Sequence, residues 1–389
     1  MRWNSLLKLL VPFVLIAMVA CDKEVLTEVG GGSSEEPPTV EHAPHVDMAG
    51  VPVYIPPGPV RQSDVPENLL EVIQDGVAMM ESTHLEKSKC CGKRDGWKKC
   101  LGDYIVAASD IEGNLMQVEA YENKPSSPAN FSVRCERNDG ACDVGVNVPL
   151  IVEAPPGWTV VAIRTAIWDK QGPDGISGAV YVPYTSRLNT PELRLAGLEY
   201  LTQAVETAHQ ELVDIGIPSQ YIRGTQATDW GTTDHVLTLI LTEQMRSDFQ
   251  FVEGSDDVRT EMLNRTLTIL GANQELTSSY SRSSKGAAGL AQLMPRTYRE
   301  LRKQYPDAGL LEDHVEGRVD HSSAIRAAIV HTDSEWWPFR GDKEFTHREF
   351  LKSETEHRRL VFAAGYNWSI GKVDFRIDKH GAQWRSHLP

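Results

Sequence analysis

At about Pro191 the hydrophobic spacing of this chain changes, and that change most limits what it can fold into. Downstream, Leu193, Leu195, Leu198, Leu201, Val205 and Ala208 recur at the spacing of an amphipathic helix. Gly216-Ile217-Pro218 breaks that stretch. Thr233-Asp234 reads as the N-terminus of a second helix running through Glu243, and a third covers about Val258 to Leu270. Further helices are expected over about Pro295–Tyr305, Ser322–Thr332 and His347–Ala364. Residues 191–389 therefore read as all-α.

Upstream the pattern is different. Tyr104–Ala108, Asn147–Val152 and Thr159–Ile163 are β-branched or small apolar runs bounded by Gly, Pro and Asn. Residues 61–190 read as a small β-rich domain with no catalytic constellation. Five cysteines fall there: Cys90, Cys91, Cys100, Cys135 and Cys142. An odd number leaves at least one free or paired between chains. Cys135 and Cys142 flank the turn signal Asn138-Asp139-Gly140 and are the expected disulfide, with Cys90 or Cys91 to Cys100 next. Four of these thiolates holding zinc is the rival arrangement, although no Cys-x-x-Cys pair occurs and export favours oxidation. No metal and no cofactor are expected.

Residues 1–20 read as a targeting segment. Arg2 and Lys8 precede an apolar run from Leu9 to Ala20, too short to span a bilayer and suited to a signal peptide. Met18-Val19-Ala20-Cys21 resembles the bacterial lipobox, which implies that Cys21 is lipidated and begins the mature protein. Asp22 after it resembles an inner-membrane retention signal of enteric-type diderm bacteria. Residues 21–60 then read as the lipid-bearing cysteine and a tether. The acidic run Gly30–Pro38 is flexible, and the stretch around Pro52, Pro56, Pro57 and Pro59 is stiffer. The expected location is the cell envelope, anchored through Cys21 with the folded part outside the cytoplasm.

The charge excludes one class of partner. With 39 Lys+Arg against 54 Asp+Glu among 389 residues, the net charge is −15. No general nucleic-acid binder is built that way, since it needs a basic stripe to displace counterions. Hydrophobic residues at 41% are enough for a packed core, and the length suits two to three domains.

Two segments of the helical half carry chemistry. Ser283-Ser284-Lys285-Gly286-Ala287-Ala288-Gly289-Leu290-Ala291-Gln292-Leu293-Met294-Pro295-Arg296-Thr297 resembles the Ser-x-x-Gly-Ala-x-Gly-Leu-Met-Gln-x-Met-Pro-x-Thr motif of lytic murein transglycosylases. Ala364-Gly365-Tyr366-Asn367-Trp368-Ser369-Ile370-Gly371-Lys372-Val373 resembles that family's Ala-Tyr-Asn-x-Gly-x-Gly-x-Val motif, with Ser369 where Gly is usual. The resemblance covers about residues 195–380. It implies a C-terminal all-α, lysozyme-like domain; with the lipoprotein signal peptide, tether and small β-rich domain read above, the chain is expected to be multidomain. It further implies cleavage of the MurNAc–GlcNAc bond of peptidoglycan strands with a 1,6-anhydro product. Ser284, Gly286, Gly289, Gln292, Met294 and Asn367 would bind substrate, and Tyr366 would stand beside the cleaved bond. Physically, the glycines permit close backbone approach to a sugar, and the Gln292 and Asn367 amides offer donors and acceptors to N-acetyl and hydroxyl groups.

That chemistry needs a single glutamic acid, protonating the glycosidic oxygen and then taking the proton of the C6 hydroxyl, unlike the paired carboxyls of ordinary glycosidases. Apolar surroundings must raise its pKa. Two residues qualify. Glu275 lies 17 positions before Gln292, close to the family spacing; Glu243 lies 49 before it. At about 100° per residue, Val236, Leu239 and Ile240 fall within about 60° of Glu243, in the middle of an apolar stripe. Leu263, Leu267 and Leu270 fall about 80° to 140° from Glu275, which places it off the buried face. Glu243 is the first choice and Glu275 the alternative. The expected partners are glycan strands, the membrane through Cys21 and envelope-machine proteins. The competing class is an inactive peptidoglycan-binding or scaffold lipoprotein, suggested by Ala291 where the family has Met and by Ser369. Asp320-His321 reads as a helix cap before acid/base chemistry, and Trp336-Trp337 and Trp368 as core or sugar-stacking aromatics.

Overall fold

A computed structural model describes residues 65–84, 99–121, 131–135, 150–168, 176–245, 256–280, 283, 286–336, 361–362, 364–366 and 370–380. Within them helices and a small antiparallel sheet are combined. Helix α1 (Leu69–Ser82) precedes strands β1 (Lys99–Ser109), β2 (Leu115–Tyr121), β3 (Ser132–Cys135), β4 (Leu150–Glu153), β5 (Thr159–Trp168) and β6 (Ile176–Tyr181). Helices α2 (Pro191–Ile215), α3 (Thr233–Gln244), α4 (Asp256–Asn273), α5 (Pro295–Gln304), α6 (Glu316–Val319), α7 (His321–Ser334) and α8 (Ile370–His380) follow.

The strands form a four-stranded sheet, order β2-β1-β5-β6, and a β3-β4 hairpin, all antiparallel. Tyr104, Val106 and Ala108 of β1 face Phe131 and Val133. Ala107, with Val161 of β5 and Val180 of β6, faces Val72, Ile73 and Met80 of α1. Both faces are covered, so these strands read as apolar runs rather than alternating ones. A register shift between Ala107 and Ala108 re-aims the strand. Arg164 closes the end of α1 by donating to the carbonyls of Met80 and Glu81.

Helix α1 and strands β2, β3 and β6 were not anticipated in the β-rich region. The spacing of Leu69, Val72, Ile73, Gly76 and Met80, all buried, is helical and was legible. Strands β2 and β6 are short and interrupted by polar residues, and sheet pairing rather than local pattern holds them. Of the cysteine readings, Cys135 ends β3, while Cys21, Cys90, Cys91 and Cys142 lie outside the described residues, as do the tether and the leader.

Helix α2 begins where the spacing changes. Thr190 accepts a hydrogen bond from Leu193 N (3.3 Å) and Pro191 occupies the first turn, where its missing N–H costs nothing. Helices α2 and α4 cross at Gly197 and Gly271. A methyl group on either would overlap a backbone carbonyl of the other helix, Leu267 O or Leu193 O. The sheet is tied to this pair by Asn273. Its amide oxygen takes Val182 N (2.7 Å) and its nitrogen donates to Val182 O (3.0 Å).

Helix α7 is the centre of the helical half. Ala324, Ile325, Ala327, Ala328, Ile329 and Val330 are all buried, as expected of a helix surrounded on every side. Asp320 caps it, accepting from Ser323 N at 2.7 Å, so the Asp320-His321 pair does act as a helix start. Helix α3 is also covered nearly all round, from His235 to Thr242 and at Gln244; Thr232, without a side-chain capping bond, precedes it. The α4 helix runs three residues beyond Leu270, to Asn273.

Candidate functional site

Helix α3 carries Glu243 at its C-terminal end, half-buried among neighbours that are buried outright. The next residue anchors the motif segment. Gln244 donates to Leu290 O (2.6 Å) and Gly289 O (3.3 Å) and accepts from the Ser278 hydroxyl (2.6 Å). Sequence reasoning passed over Gln244. Its buried amide ties the C-terminal end of α3, which carries Glu243, to the backbone of Gly289 and Leu290.

That loop is a double turn. Gly286 N donates to Ser283 O (2.9 Å), Ser283 N to Ala287 O (2.8 Å), and Gln292 N to Gly289 O (3.2 Å). Ala288 and Leu293 form an isolated antiparallel bridge. Gly286 and Gly289 have φ of +92° and +75°, and Gln292, unusually for a residue with a side chain, has +46°. The Gln292 amide nitrogen donates to Gly289 O at 2.7 Å. Pro295 then starts α5 with Met294, 39% exposed, at its N-cap.

Arg318 of α6, buried at 1% exposure, fixes the loop from beneath. Its guanidinium donates to Gly286 O (2.7 Å), Leu293 O (3.1 Å) and His314 O (2.7 Å). A buried cation is tolerated because carbonyl oxygens replace its water. Nothing in the motif itself names this residue.

Tyr366, in the helical turn 364–366, meets the same loop from the other side. Its hydroxyl donates to Ala291 O, and its ring packs edge-on to His331 of α7, with centroids 4.8 Å apart and planes at 67°. Burial first, then the nearby charges of Glu243 and Glu335, hold the phenol well above its ordinary range. Tyr366 thus touches the motif loop at Ala291 and feels the charge of Glu243, about 120 positions earlier in sequence. Ser284 and Asn367 lie outside the described residues, as do Trp337 and Trp368. Trp336 is core, packed edge-on against Trp230 and Phe362.

Glu275 is elsewhere. It sits in the 3-10 turn Gln274–Leu276 beyond α4, exposed, where its charge acts on Tyr200 and His321. A cleft of about 230 Å³ beside it is lined by Ile73, Val77 and Ala78 of α1 and by Ala272, Asn273 and Leu276. It does not reach Tyr366 or the Gly286–Leu293 loop.

Two groups were not singled out by sequence. His331 and Glu335 lie four positions apart, Nδ1 to Oε1 3.4 Å; Glu335 is buried and His331 half-buried, with its ring against Tyr366. Burial pushes the Glu335 carboxyl up to about 8 and the His331 imidazole down to about 4. The i,i+4 spacing was the available signal. Among the described residues no cluster of His, Cys, Asp and Glu suits a metal ion, and no helix is long and apolar enough to cross a membrane.

Compared with protein-family models, with curated proteins and with solved structures, the chain gives no match.

Proposed function

We propose that this protein is a peptidoglycan lytic transglycosylase: a carbon–oxygen lyase of the cell envelope, tethered to the membrane through lipidated Cys21, with a lysozyme-like catalytic domain in residues 191–389. The observation that carries the reading is the position of Glu243. The charge of this half-buried glutamate acts on Tyr366, whose hydroxyl donates to Ala291 O, and the adjacent Gln244 donates to Leu290 O in the other motif segment.

In this mechanism Glu243 donates its proton to the glycosidic oxygen as the MurNAc–GlcNAc bond breaks. The resulting carboxylate then takes the proton of the MurNAc C6 hydroxyl, whose oxygen closes on C1. Proton count balances, no water is consumed, and the products are a new GlcNAc end and a 1,6-anhydro-MurNAc end. Tyr366, a neutral phenol, contributes orientation and a dipole and carries no proton away. The cycle starts from the protonated acid.

Purified cell walls incubated with the protein and analysed by mass spectrometry test this reading. Release of anhydro-muropeptides supports it. Reducing-end products would make the protein a hydrolase. Binding to walls without any product would favour the second reading, a scaffold lipoprotein, for which Ala291 and Ser369 are the motive.

A further inference from the structure

Glu335 has no place in a single-acid mechanism, yet the fold is arranged around it. It is the C-cap residue of α7, its backbone N–H donating to His331 O (3.1 Å). Its side chain is 8% exposed, and Oε2 has no hydrogen-bond partner among the described residues. The carboxyl lies against the backbone of Gly365, the residue before Tyr366, in a space that a Cβ at position 365 would fill. His331, one turn earlier on α7, stands between it and the Tyr366 ring. An ionised carboxylate in that position would face the negative end of the α7 dipole without solvent, and both effects disfavour the charge.

We propose that Glu335 is a positioning residue of the site: its uncharged carboxyl, seated in the gap left by Gly365 and backed by His331, holds Tyr366 against the Ala291 carbonyl and beside Glu243. This rests on the transglycosylase reading for its catalytic consequence, but not for its structural one. Ionising Glu335 places a second negative charge behind Tyr366 and drives the carboxylate toward water. Its Oε2 lies against the Gly365 backbone, so movement of an ionised carboxylate there displaces the 364–366 turn and loosens the Tyr366 clasp on Ala291.

The titratable groups around it set the pH range. His331 faces it from α7; the charges of Glu335 and Glu243 both act on Tyr366 in the following turn; and α8, which packs on the adjacent Trp336, carries the buried Asp374. With Glu335 raised to about 8, the folded state holds a proton that the unfolded chain loses above about 4.5. Its stability contribution is therefore lost as pH rises toward 8. His331, lowered to about 4, acts in the opposite direction below about 6.5. The two slopes offset each other between about pH 4.5 and 6.5, and the Glu335 slope stands alone from about 6.5 to 8.

Melting curves and initial rates on purified cell walls, from pH 5 to 9, test this in the full mature chain. The melting temperature of the wild type should fall between pH 6.5 and 8. Glu335→Gln, which keeps the neutral shape, should remove that fall. Glu335→Ala should lower kcat about tenfold with KM little changed, and Glu335→Gln should restore most of the rate. A melting profile unchanged by Glu335→Gln overturns the proposal, as does a rate unaffected by Glu335→Ala. A Glu335→Gln protein as inactive as Glu243→Gln overturns it too, because Glu335 would then itself be the acid. If the wild type releases no anhydro product, the enzymatic reading fails, and the melting profiles alone still decide the role of Glu335.

Discussion

The backbone of Gly289 lies against the carbonyl of Arg318, with no room between them for even a methyl group. The same Arg318 reaches past that contact to hold Gly286 O and Leu293 O. One residue thus supports the motif loop by its backbone and by its side chain, and the loop in turn is tied to Gln244 beside Glu243.

Gly289→Ala should accordingly cost well over the typical substitution. It combines a left-handed φ of +75° with a backbone overlap. A loss of about 3 kcal/mol or more is expected in urea unfolding. A value under about 1 kcal/mol would mean that the loop and α6 are not in contact as described.

Arg318→Lys keeps the charge and loses the fork. A single ammonium cannot bridge Gly286 O, Leu293 O and His314 O together, so buried carbonyls lose their donor. The expected cost is about 2–4 kcal/mol, with wall-digesting activity lost in the same variant although Glu243 is intact. Full stability at high activity would show the guanidinium to be dispensable.

The choice of acid is tested by paired isosteric changes. Glu243→Gln should reduce turnover about 10²–10⁴-fold while leaving wall binding nearly intact. Glu275→Gln, at an exposed position away from Tyr366, should be mild. Tyr366→Phe should fall between them, since it removes the bond to Ala291 O and keeps the ring. An active Glu243→Gln with a dead Glu275→Gln would move the acid to Glu275.

His321 supplies an acid-side test. Its Nε2 donates to Thr277 O (2.7 Å), leaving Nδ1 to accept from the Tyr200 hydroxyl (2.7 Å). That is the neutral ring, and burial lowers its pKa below the ordinary value of 6.5. The unfolded chain then binds the extra proton, so stability present above about pH 6.5 is lost as pH falls below it. His321→Gln should flatten the melting temperature between pH 6.5 and 5. A slope identical to wild type would exclude this residue as its source.

The anchor and the expected disulfide have their own tests. Cys21→Ser should release the protein from membranes or block its processing, and non-reducing peptide maps of exported protein should contain a Cys135–Cys142 link, expected to be worth about 2–4 kcal/mol. A processed Cys21→Ser protein that stays membrane-bound would remove the lipoprotein reading.

Helices α2, α3, α4, α5 and α7 and the apolar neighbours of Glu243 were legible because each depends on local spacing, whereas the short α6 and α8 were not read. Val236, Leu239 and Ile240 share a helical face with Glu243 whatever surrounds them, and the buried row in α3 bears that out. The exposed position of Glu275 followed from the same 100° rule, although it lies in a turn just past the helix. Helix α1 was equally readable and was missed among β-branched runs. What tertiary structure alone decided is which distant residues meet. Arg318 is one cation among many in the sequence, and only the fold aims it at three carbonyls. Glu335 looks like a charge at a helix end, where solvent would ionise it. The packing of α7 against the Gly365 backbone removes that solvent, and desolvation in a folded interior is a property of neighbours that no local spacing contains.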